Sequence, residues 1–413
     1  MAQLMDTARD VSDSTPPFDQ EFLDSLMLEA RIDALFVTSR HNIQYLAGHR
    51  FFWQVPEEAV GVGRYLPVLC YRAGHPEDCF YVAQGVEQQQ LALDPIWVPT
   101  TYARGREHPA GLHGAPSSGA WTDANFIERC ADCIRAWGLE KGVIGIEAAF
   151  LPVDAYLRLT AALPEAQFVD AVPELQELRG IKSPQEVALI RHTCENIVDS
   201  MLATFGRAHA GITMAQVSQL MREEAASRGL RFDVCFTTNG PDANRVPSAK
   251  RTWEPGGMLS LDSGCSYAGY MGDLARMGVL GEPSAEQTEF LAAVTEVQRK
   301  ARAVVRPGVP AREVYRAGEA AIAESSYRDL LTFQAHGDGL AHHEFPRLDP
   351  RSPHGYSPVH GFRALQPGVT LSIETWLIHP TGGFVKIEDY GAVSEDGFDA
   401  FADRARGFTV VEV

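Results

Sequence analysis

The chain has 413 residues, of which 45% are hydrophobic and 22% are charged, an ordinary composition for a globular protein of about two domains. Its formal net charge is −18, and because so acidic a surface repels phosphate backbones, we expect no nucleic-acid partner. No stretch approaches the roughly 18 apolar residues that a membrane span requires, so we expect no membrane partner either.

The N-terminal segment, residues 1–17, is polar and has neither a basic region nor an apolar one. We expect it to be frayed, and we do not interpret it as a signal peptide. The seven cysteines are an odd number, which indicates reduced thiols and a cytoplasmic location. Cys130 and Cys133 form a CxxC pair without a second pair or a following histidine, so we interpret them as neighbours on one helix face.

Residues 18–178 alternate between helical and strand-like patterns, which predicts an α/β N-terminal domain with a partly parallel sheet. The segments that carry these patterns are, in chain order, FDQEFLDSLMLEA, IDALFVTS, YLPVLCY, VIGIEAAF, VDAYLRLTAAL and AQFVDA. Residues 102–123 are rich in Gly, Pro, Ser and His and predict a long loop. The domain boundary is predicted at LRGIKSPQEVALIR, where Ser183 and Glu186 form a capping box that begins a helix reaching about Phe205.

Residues 179–413 contain a weak internal repeat. The segment GITMAQV, which begins at Gly211, aligns with GVPAREV, which begins at Gly308. Each glycine follows a long helical pattern and precedes a second, shorter one, and strand-like segments with acidic residues come next. The repeat predicts an α+β domain of two related halves that enclose one site.

The first two acidic residues lie in MLSLDSGCSYAGYMGDLARMGVL, which alternates like a β-hairpin. Asp262 and Asp273 are 11 residues apart, a spacing that can bring both carboxylates to the same face of a hairpin. Two like charges on an apolar sheet are unfavourable without a cation, so we interpret this pair as metal ligands.

One histidine and two glutamates extend this set. His336 lies among glycines in FQAHGDGLAHHEFP, and His343 follows seven residues later. Glu374 ends an apolar strand pattern, Glu388 interrupts the next one, and a Pro-Thr-Gly-Gly turn joins the two. Asp389 would point to the opposite face of its strand, so we place it behind the ligands and not among them.

Four carboxylates and one imidazole suit Mn²⁺, Co²⁺ or Fe²⁺ and tolerate Zn²⁺. Two divalent ions would offset the four negative charges, and ions about 3.5–4 Å apart can activate a shared water and polarise a carbonyl. The sequence therefore predicts a two-metal site that hydrolyses an amide or a related bond. The predicted metal ligands are Asp262, Asp273, His336, Glu374 and Glu388.

The order Asp, Asp, His, Glu, Glu resembles that of the pita-bread metallopeptidases, family M24, which include methionine aminopeptidase, aminopeptidase P, prolidase and creatinase. The pattern is most similar to the branch of prolidase and aminopeptidase P. The G-Y-x-x-D-x-x-R, H-G-x-G-L and H-E-x-P patterns of that branch correspond to residues 269–276, 336–340 and 343–346. Its S-I-E and I-E-D strands correspond to those around Glu374 and Glu388. The likeness covers about residues 180–413, and residues 18–175 more loosely.

The resemblance implies a creatinase-like N-terminal domain, residues 18–178, and a pita-bread catalytic domain, residues 179–413, in a homodimer. It implies that Asp262 chelates the first ion and that His336 and Glu374 bind the second. Asp273 and Glu388 would bridge the two ions. His343 would bind the substrate carbonyl or stabilise the tetrahedral intermediate, which makes His343 and Glu374 the predicted catalytic residues. The substrates it implies are Xaa-Pro dipeptides or short peptides.

The chain departs from this branch around the substrate. The peptidases usually carry a histidine in the loop before the first aspartate, but here that loop reads TTNGPDANRVPSAKRTWEPGG. Arg245 is the nearest replacement, and a cation there can clamp an acidic group. Lys386 stands where the branch has an arginine, and we predict that Arg245, Lys386 and His343 bind substrate. Asp338 replaces an apolar residue, Thr375 replaces a proline, and residues 347–366 form a longer stretch than a prolidase needs.

Two other functions remain open at this point. A non-peptidase member could act on a small molecule, as a creatinase-like amidohydrolase or a dimethylsulfoniopropionate-lyase-like C–S lyase, and the loop without histidine favours this. The complete ligand set argues against the creatinase-like amidohydrolase. Gly264, which stands where the lyase would have an additional aspartate, argues against the C–S lyase. A metal-free binding module is the third hypothesis, against which the complete ligand set also argues. In a dimer, residues 49–53 (HRFFW) could line a substrate pocket, or they could pack on their own domain.

Overall fold

The structure, a computed structural model, describes residues 16–48, 66–84, 87–104, 123–241, 243–348 and 358–413. The chain divides into two compact units between Leu178 and Arg179. Several predictions fall on residues outside these ranges. They concern most of the frayed N-terminal segment, the HRFFW segment at 49–53, most of the loop at 102–123, and residues 349–357 of the longer stretch.

The first unit alternates between helices and strands. Its described helices are α1 (Gln20–Ala30), α2 (Arg40–Leu46), a 3-10 turn (Pro76–Asp78), α3 (Gln88–Leu93), α4 (Asp123–Ala136), α5 (Val153–Ala162) and α6 (Val172–Gly180), whose last residues belong to the second unit. Its described strands are β1 (Ala34–Val37), β2 (Val68–Arg72), β3 (Phe80–Gln84), β4 (Thr100–Arg104), β5 (Val143–Ile146) and β6 (Gln167–Asp170).

These described strands form one mixed sheet in the order β4-β3-β2-β1-β5-β6. The pairs β1–β5, β5–β6 and β3–β4 are parallel, whereas β2 is antiparallel to both β1 and β3. Phe36, Val68 and Ile144 of the sheet pack in one buried cluster with apolar residues of α4 and α5. The prediction of an α/β domain with a partly parallel sheet is confirmed.

A buried carboxylate fixes the start of α2. Glu147 accepts hydrogen bonds from the backbone N–H groups of Thr38 (2.5 Å) and Ser39 (2.7 Å) and from the side-chain amide of Asn42 (2.5 Å). Free N–H groups at a helix N-terminus favour a negative charge, so this acid stabilises the helix start. Its burial therefore has a structural explanation.

The second unit contains two pairs of helices and the larger sheet. Its described helices are α7 (Pro184–Arg207), α8 (Met214–Ser227), α9 (Ala285–Ala303), α10 (Arg312–Glu324) and a 3-10 turn (Pro358–Gly361). Its described strands are β7 (Arg231–Asn239), β8 (Met258–Tyr267), β9 (Tyr270–Leu280), β10 (Leu331–Gly337), β11 (Glu344–Arg347), β12 (Thr370–His379), β13 (Gly383–Ser394), β14 (Gly397–Phe401) and β15 (Thr409–Val411).

The capping box predicted at the start of α7 is present. The Ser183 side chain accepts a hydrogen bond from the Glu186 N–H (3.3 Å), and the Glu186 carboxylate accepts one from the Ser183 N–H (2.8 Å). Pro184 occupies the first helical position, where its missing N–H leaves no hydrogen bond unmade. The helix ends at Arg207, two residues beyond the predicted Phe205.

The internal repeat corresponds to a repeated order of elements. Gly211 lies between α7 and α8, and Gly308 lies between α9 and α10, as the alignment requires. One buried cluster joins α7 and α8 to β7, β8 and β9. A second joins α9 and α10 to β10, β12 and β13. Each half therefore buries its helix pair mainly against its own strands, although Tyr390 joins the first cluster and Met277 joins the second.

The described strands of this unit form a nine-stranded sheet. Seven follow the order β11-β10-β12-β13-β9-β8-β7, while β14 pairs with β13 and β15 pairs with β9. The two halves meet where β13 pairs with β9, with Glu388 opposite Ala275. The predicted α+β architecture is confirmed, and the join between the halves lies among the strands that carry the predicted ligands.

Two smaller features bear on the predictions. None of the described helices combines the length and apolarity that a membrane span requires. All seven cysteines are free, and Cys130 and Cys133 both lie on α4. The interpretation of the CxxC pair as neighbours on one helix is therefore confirmed.

Candidate metal centre

Five neighbouring strands of the second unit each carry one predicted metal ligand. Strands β10, β12, β13, β9 and β8 lie side by side in that order. In the same order, they carry His336, Glu374, Glu388, Asp273 and Asp262. Long-range strand pairing thus gathers residues that are distant in the sequence.

The strand registers explain how the side chains meet. Glu374 lies directly opposite Glu388 in the β12–β13 pair. In the β8–β9 hairpin Asp262 lies opposite Ala275, two residues from Asp273, so both aspartates share one face. The hairpin geometry predicted for the aspartates is confirmed. The prediction that Glu374 ends its strand is wrong, because the apolar residues that follow it continue β12 to His379.

The donor atoms form two groups that share Glu388. In one group His336 Nε2 lies 3.5 Å from Glu374 Oε1 and 4.0 Å from Glu388 Oε1. In the other, one carboxylate oxygen each from Asp262, Asp273 and Glu388 lie within 4.8 Å of one another. Two overlapping groups with a shared carboxylate can hold ions at neighbouring positions.

The clearest sign that a metal fits here is His336. Its side chain is fully buried, and Nε2 has no hydrogen-bond partner among the described residues. A buried polar atom without a partner is unfavourable by about 1–3 kcal/mol, so such atoms are rare. Nε2 faces two carboxylates, and a metal ion would satisfy the nitrogen and both acids together.

A cation of the protein also lies within the site. Lys386 is buried, and its Nζ lies 2.7 Å from Asp262 Oδ2, 2.7 Å from Glu374 Oε2 and 2.9 Å from Glu388 Oε2. Burial lowers the pKa of Lys386, but the carboxylates of Asp262, Glu374 and Glu388 outweigh burial and raise it well above its ordinary value. The ammonium therefore stays charged and offsets part of the acidic charge.

Arg245 comes from the loop that lacks a histidine. Its Nη2 donates a hydrogen bond to Asp262 Oδ2 at 2.7 Å, and its guanidinium lies 4.2 Å from the ring centre of Phe236. The Arg245 side chain is 49% exposed, whereas that of Asp262 is 6% exposed. The arginine therefore connects the buried site with solvent, where a substrate could reach it.

Two of the predicted ligands, Asp273 and Glu388, have raised pKa values in the absence of ions. Burial, followed by the charges of Asp262 and Asp338, raises the pKa of Asp273 to about 8. Burial and the nearby Asp273 carboxylate also raise the pKa of Glu388 well above its ordinary value. Binding of a divalent ion to Asp273 must therefore displace a proton below about pH 8.

His343 lies beside the ligands in a strained turn. Its φ is 56°, in the left-handed region, and its N–H donates a 2.5 Å hydrogen bond to Asp338 Oδ1. The ring centres of His336 and His343 are 4.0 Å apart. Burial, with a further contribution from His336, lowers the pKa of His343 to about 2, so its imidazole is neutral at neutral pH.

Two glycines allow the chain around His343 to pack closely. A Cβ at Gly337 would lie 2.2 Å from the carbonyl oxygen of Phe345, and one at Gly339 would lie 2.1 Å from Glu344 Oε1. Both distances are too short for any side chain, which explains the glycine spacing of the H-G-x-G-L pattern. The Glu344 carboxylate is fully buried.

Two residues beside the predicted ligands were not predicted to form part of the site. Asp338 was recognised as a departure in sequence, and it is fully buried with Oδ2 3.3 Å from His336 Nδ1. His342 was overlooked. Its Nδ1 lies 3.2 Å from Asp338 Oδ1, and its Nε2 lies 3.7 Å from Asp273 Oδ2. The only signal for His342 in the sequence is its position four residues after Asp338.

The arginine of the G-Y-x-x-D-x-x-R pattern supports the sheet from behind. Arg276 is fully buried and donates hydrogen bonds to the backbone carbonyls of Glu388 (2.7 Å), Ala402 (3.0 Å) and Arg404 (2.8 Å). Asp389 lies 3.4 Å from this guanidinium and 2.8 Å from that of Arg406. Asp389 is thus bound by arginines, and Arg276 fixes the strand that carries Glu388.

Comparison with known proteins identifies the class. Residues 188–395 match the model of metallopeptidase family M24, and residues 21–181 match that of the creatinase/prolidase N-terminal domain. The chain is 30% identical over 249 residues to the Xaa-Pro dipeptidase of Pyrococcus horikoshii, which covers 58% of this chain and 67% of that protein. It is 26% identical over 279 residues to the uncharacterized peptidase YqhT of Bacillus subtilis, which covers 66% of this chain and 76% of that one.

The fold agrees with this class. The solved structure of the Xaa-Pro dipeptidase from Bacillus anthracis superposes with a TM-score of 0.75 at 22% identity, covering 95% of this chain and 99% of that one. The fold is thus that of a pita-bread peptidase with a creatinase-type N-terminal domain. The chain belongs to metallopeptidase family M24, a family of peptidase hydrolases, and the predicted resemblance is confirmed.

Proposed function

We propose that this protein is a dinuclear metal-dependent hydrolase that cleaves Xaa-Pro dipeptides or short peptides. The observation that carries the proposal is the meeting of five donor residues on five adjacent strands around the unpartnered Nε2 of His336. The Xaa-Pro dipeptidase of Pyrococcus horikoshii among its relatives supports the choice of substrate.

In this proposal the five residues hold two divalent ions, drawn from Mn²⁺, Co²⁺, Fe²⁺ or Zn²⁺. His336 and Glu374 bind one ion, Asp262 chelates the other, and Asp273 and Glu388 bridge them. The sharing of Glu388 between the two groups of donor atoms supports this division. Bound ions would supply a water of lowered pKa and polarise the scissile carbonyl.

The remaining side chains bind and orient the substrate. His343 is the catalytic imidazole that contacts the substrate carbonyl or the tetrahedral intermediate, and its neutral state lets a ring N–H donate a hydrogen bond there. Arg245 clamps the carboxylate of a dipeptide, for which its partial exposure beside Asp262 is suited. Lys386, which we also assign to substrate binding, offsets the charge of three ligands from inside the site.

A non-peptide substrate is the second candidate. The contact between Arg245 and Asp262 favours it, because an arginine from the loop without histidine presents a different group to the substrate than the usual peptidases do. A small amide, an amidine or a sulfonium compound would then replace the dipeptide. A metal-free binding module is less well supported, since the described site retains all five donors. The homodimer and the cytoplasmic location remain predictions.

The test begins with the full chain stripped of metal by a chelator. We expect hydrolysis of a panel of Xaa-Pro dipeptides to be lost and then restored by Mn²⁺, Co²⁺ or Zn²⁺. A matched panel of Xaa-Ala dipeptides controls for the proline requirement. Full activity in the chelated protein would contradict the metal mechanism. Failure of the metal-loaded protein on every Xaa-Pro dipeptide would move the proposal to the non-peptide substrates.

A further inference from the structure

His342 is a side chain near the site to which the proposed reaction gives no role. It stands one residue before His343, and its side chain is 38% exposed. Its two nitrogens face different acids, with Nδ1 3.2 Å from Asp338 Oδ1 and Nε2 3.7 Å from Asp273 Oδ2. The ring is thus held between one acid that is a predicted ligand and another that is not.

The distance between His342 Nε2 and Asp273 Oδ2 is informative. At 3.7 Å the pair is beyond ordinary hydrogen-bond range. Two donors that bind one ion at about 2.1 Å each are roughly 3.0–3.4 Å apart in octahedral or tetrahedral geometry. His336 Nε2 and Glu374 Oε1, both predicted ligands, are separated by a similar 3.5 Å. The spacing at His342 is therefore close to that of His336 and Glu374, and a small movement of the ring would bring both donors onto one ion.

Asp338 lies beside both imidazoles. Its Oδ2 lies 3.3 Å from His336 Nδ1, which is also 3.3 Å from the carbonyl oxygen of Gly337, while its Oδ1 lies 3.2 Å from His342 Nδ1. Only acceptors surround these Nδ1 atoms in the described contacts, so each Nδ1 is best satisfied as the N–H. In that tautomer each Nε2 would offer its lone pair to an ion between it and the acidic residues, as in a carboxylate–histidine–metal triad.

Asp338 is itself firmly held. It is fully buried, its N–H donates to the Tyr390 hydroxyl at 3.1 Å, and that hydroxyl donates to the Asp338 carbonyl at 2.8 Å. The His343 N–H also donates to Asp338 Oδ1. The backbone of Asp338 is thus fixed by Tyr390, and its Oδ1 is held by the His343 N–H, so the carboxylate stands in a defined place beside both histidines.

We propose that His342 is an additional metal ligand, which binds through Nε2 one of the two ions that Asp273 bridges. Asp338 is then a positioning residue for His336 and His342 together. The inference rests on the metal centre proposed above. A second imidazole makes the donor set softer, and it shifts the preference of the centre away from Mn²⁺ and towards Co²⁺ or Zn²⁺.

The test counts imidazoles on Co²⁺ by X-ray absorption and measures Co²⁺ affinity by competition with a chelator. His342→Phe removes both nitrogens and keeps a ring of similar size, and the exposed His209→Phe is the matched control. We expect His342→Phe to lose one imidazole per two-metal centre. We also expect the more weakly bound of its two Co²⁺ ions to bind at least about 10-fold less tightly than in the wild type, with no change in the control. We expect Asp338→Asn to weaken Co²⁺ binding about 10- to 100-fold without changing the number of donor residues.

An unchanged imidazole count and affinity in His342→Phe would overturn the inference while leaving the proposed function intact. If the wild-type protein bound no Co²⁺ at all, the proposed function would fail instead. Thermal melting of each variant shows whether it is folded, and His342→Gln replaces His342→Phe if that variant does not fold. The wild-type count is a further check, since a centre with His336 as its sole imidazole would also overturn the inference.

Discussion

Replacement of Glu344 by alanine should strongly destabilise the second unit. The carboxylate accepts hydrogen bonds from Arg179 Nε (3.1 Å) and Nη2 (2.8 Å) and from Lys182 Nζ (2.8 Å). All three side chains are at most 2% exposed. Glu344→Ala would leave two buried cations without the anion that they share.

The size of the effect follows from this burial. Breaking a buried ion pair by removal of one partner costs about 3–5 kcal/mol, because the remaining charge stays desolvated. For a unit of about 150–250 residues, each kcal/mol lowers Tm by roughly 2–4 °C, so we expect a fall of roughly 6–20 °C. The loss should extend to function, because Glu344 directly follows His342 and His343 and holds the start of β11.

Thermal melting followed by circular dichroism measures the change. The control is Glu296→Ala. The Glu296 carboxylate lies 2.8 Å from Arg299 Nε, and the Glu296 side chain is 48% exposed. Exposed pairs contribute about 0–1 kcal/mol, so the control should melt within a few degrees of the wild type. If Glu344→Ala melted at the same temperature as Glu296→Ala, Arg179 and Lys182 would be compensated elsewhere, and the predicted cost of losing Glu344 would be wrong.

Three further predictions concern the site. Because Asp273 has a pKa of about 8 without metal and the pKa of Glu388 is also raised, an ion must displace protons from these acids. Co²⁺ affinity measured by titration should therefore rise by at least about 10-fold per pH unit from 6 to 8, and a flat profile would contradict the coupling. Lys386→Met should lower the free energy of unfolding of the metal-free protein by about 3–5 kcal/mol. The loss should be smaller when metal is bound, because the ions then neutralise the same carboxylates. Equal losses in melting experiments with and without chelator would refute this. Arg245→Ala should change stability by less than about 1 kcal/mol because its side chain is half exposed, yet raise the KM for dipeptides about 10-fold; an unchanged KM would remove Arg245 from substrate binding.

The ligand set could be predicted because strand geometry converts spacing into direction. Side chains alternate along a strand, so an 11-residue separation across a hairpin was sufficient to place Asp262 and Asp273 on one face. The same reasoning paired Glu374 with Glu388 across the next hairpin. Local pattern also predicted the capping box at Ser183, because its two hydrogen bonds lie within one helical turn.

The contacts that pattern could not predict are those made across the sheet or by long flexible side chains. The position of the Lys386 ammonium depends on three acids from three strands, and no periodicity encodes it. The buried contacts of Glu344 with Arg179 and Lys182 join residues more than 160 positions apart. His342 was overlooked because its neighbour Asp273 belongs to a different hairpin.

The metal content of the protein tests the proposed centre most directly. The full chain would be stripped with a chelator, reconstituted with Co²⁺ or Zn²⁺, freed of loose ions and measured by elemental analysis beside the double variant Asp273→Asn/His336→Ala. We expect about two ions per chain in the wild type and fewer than about one in the variant. Fewer than about one ion per wild-type chain, or equal content in the variant, would contradict a dinuclear centre at these five strands.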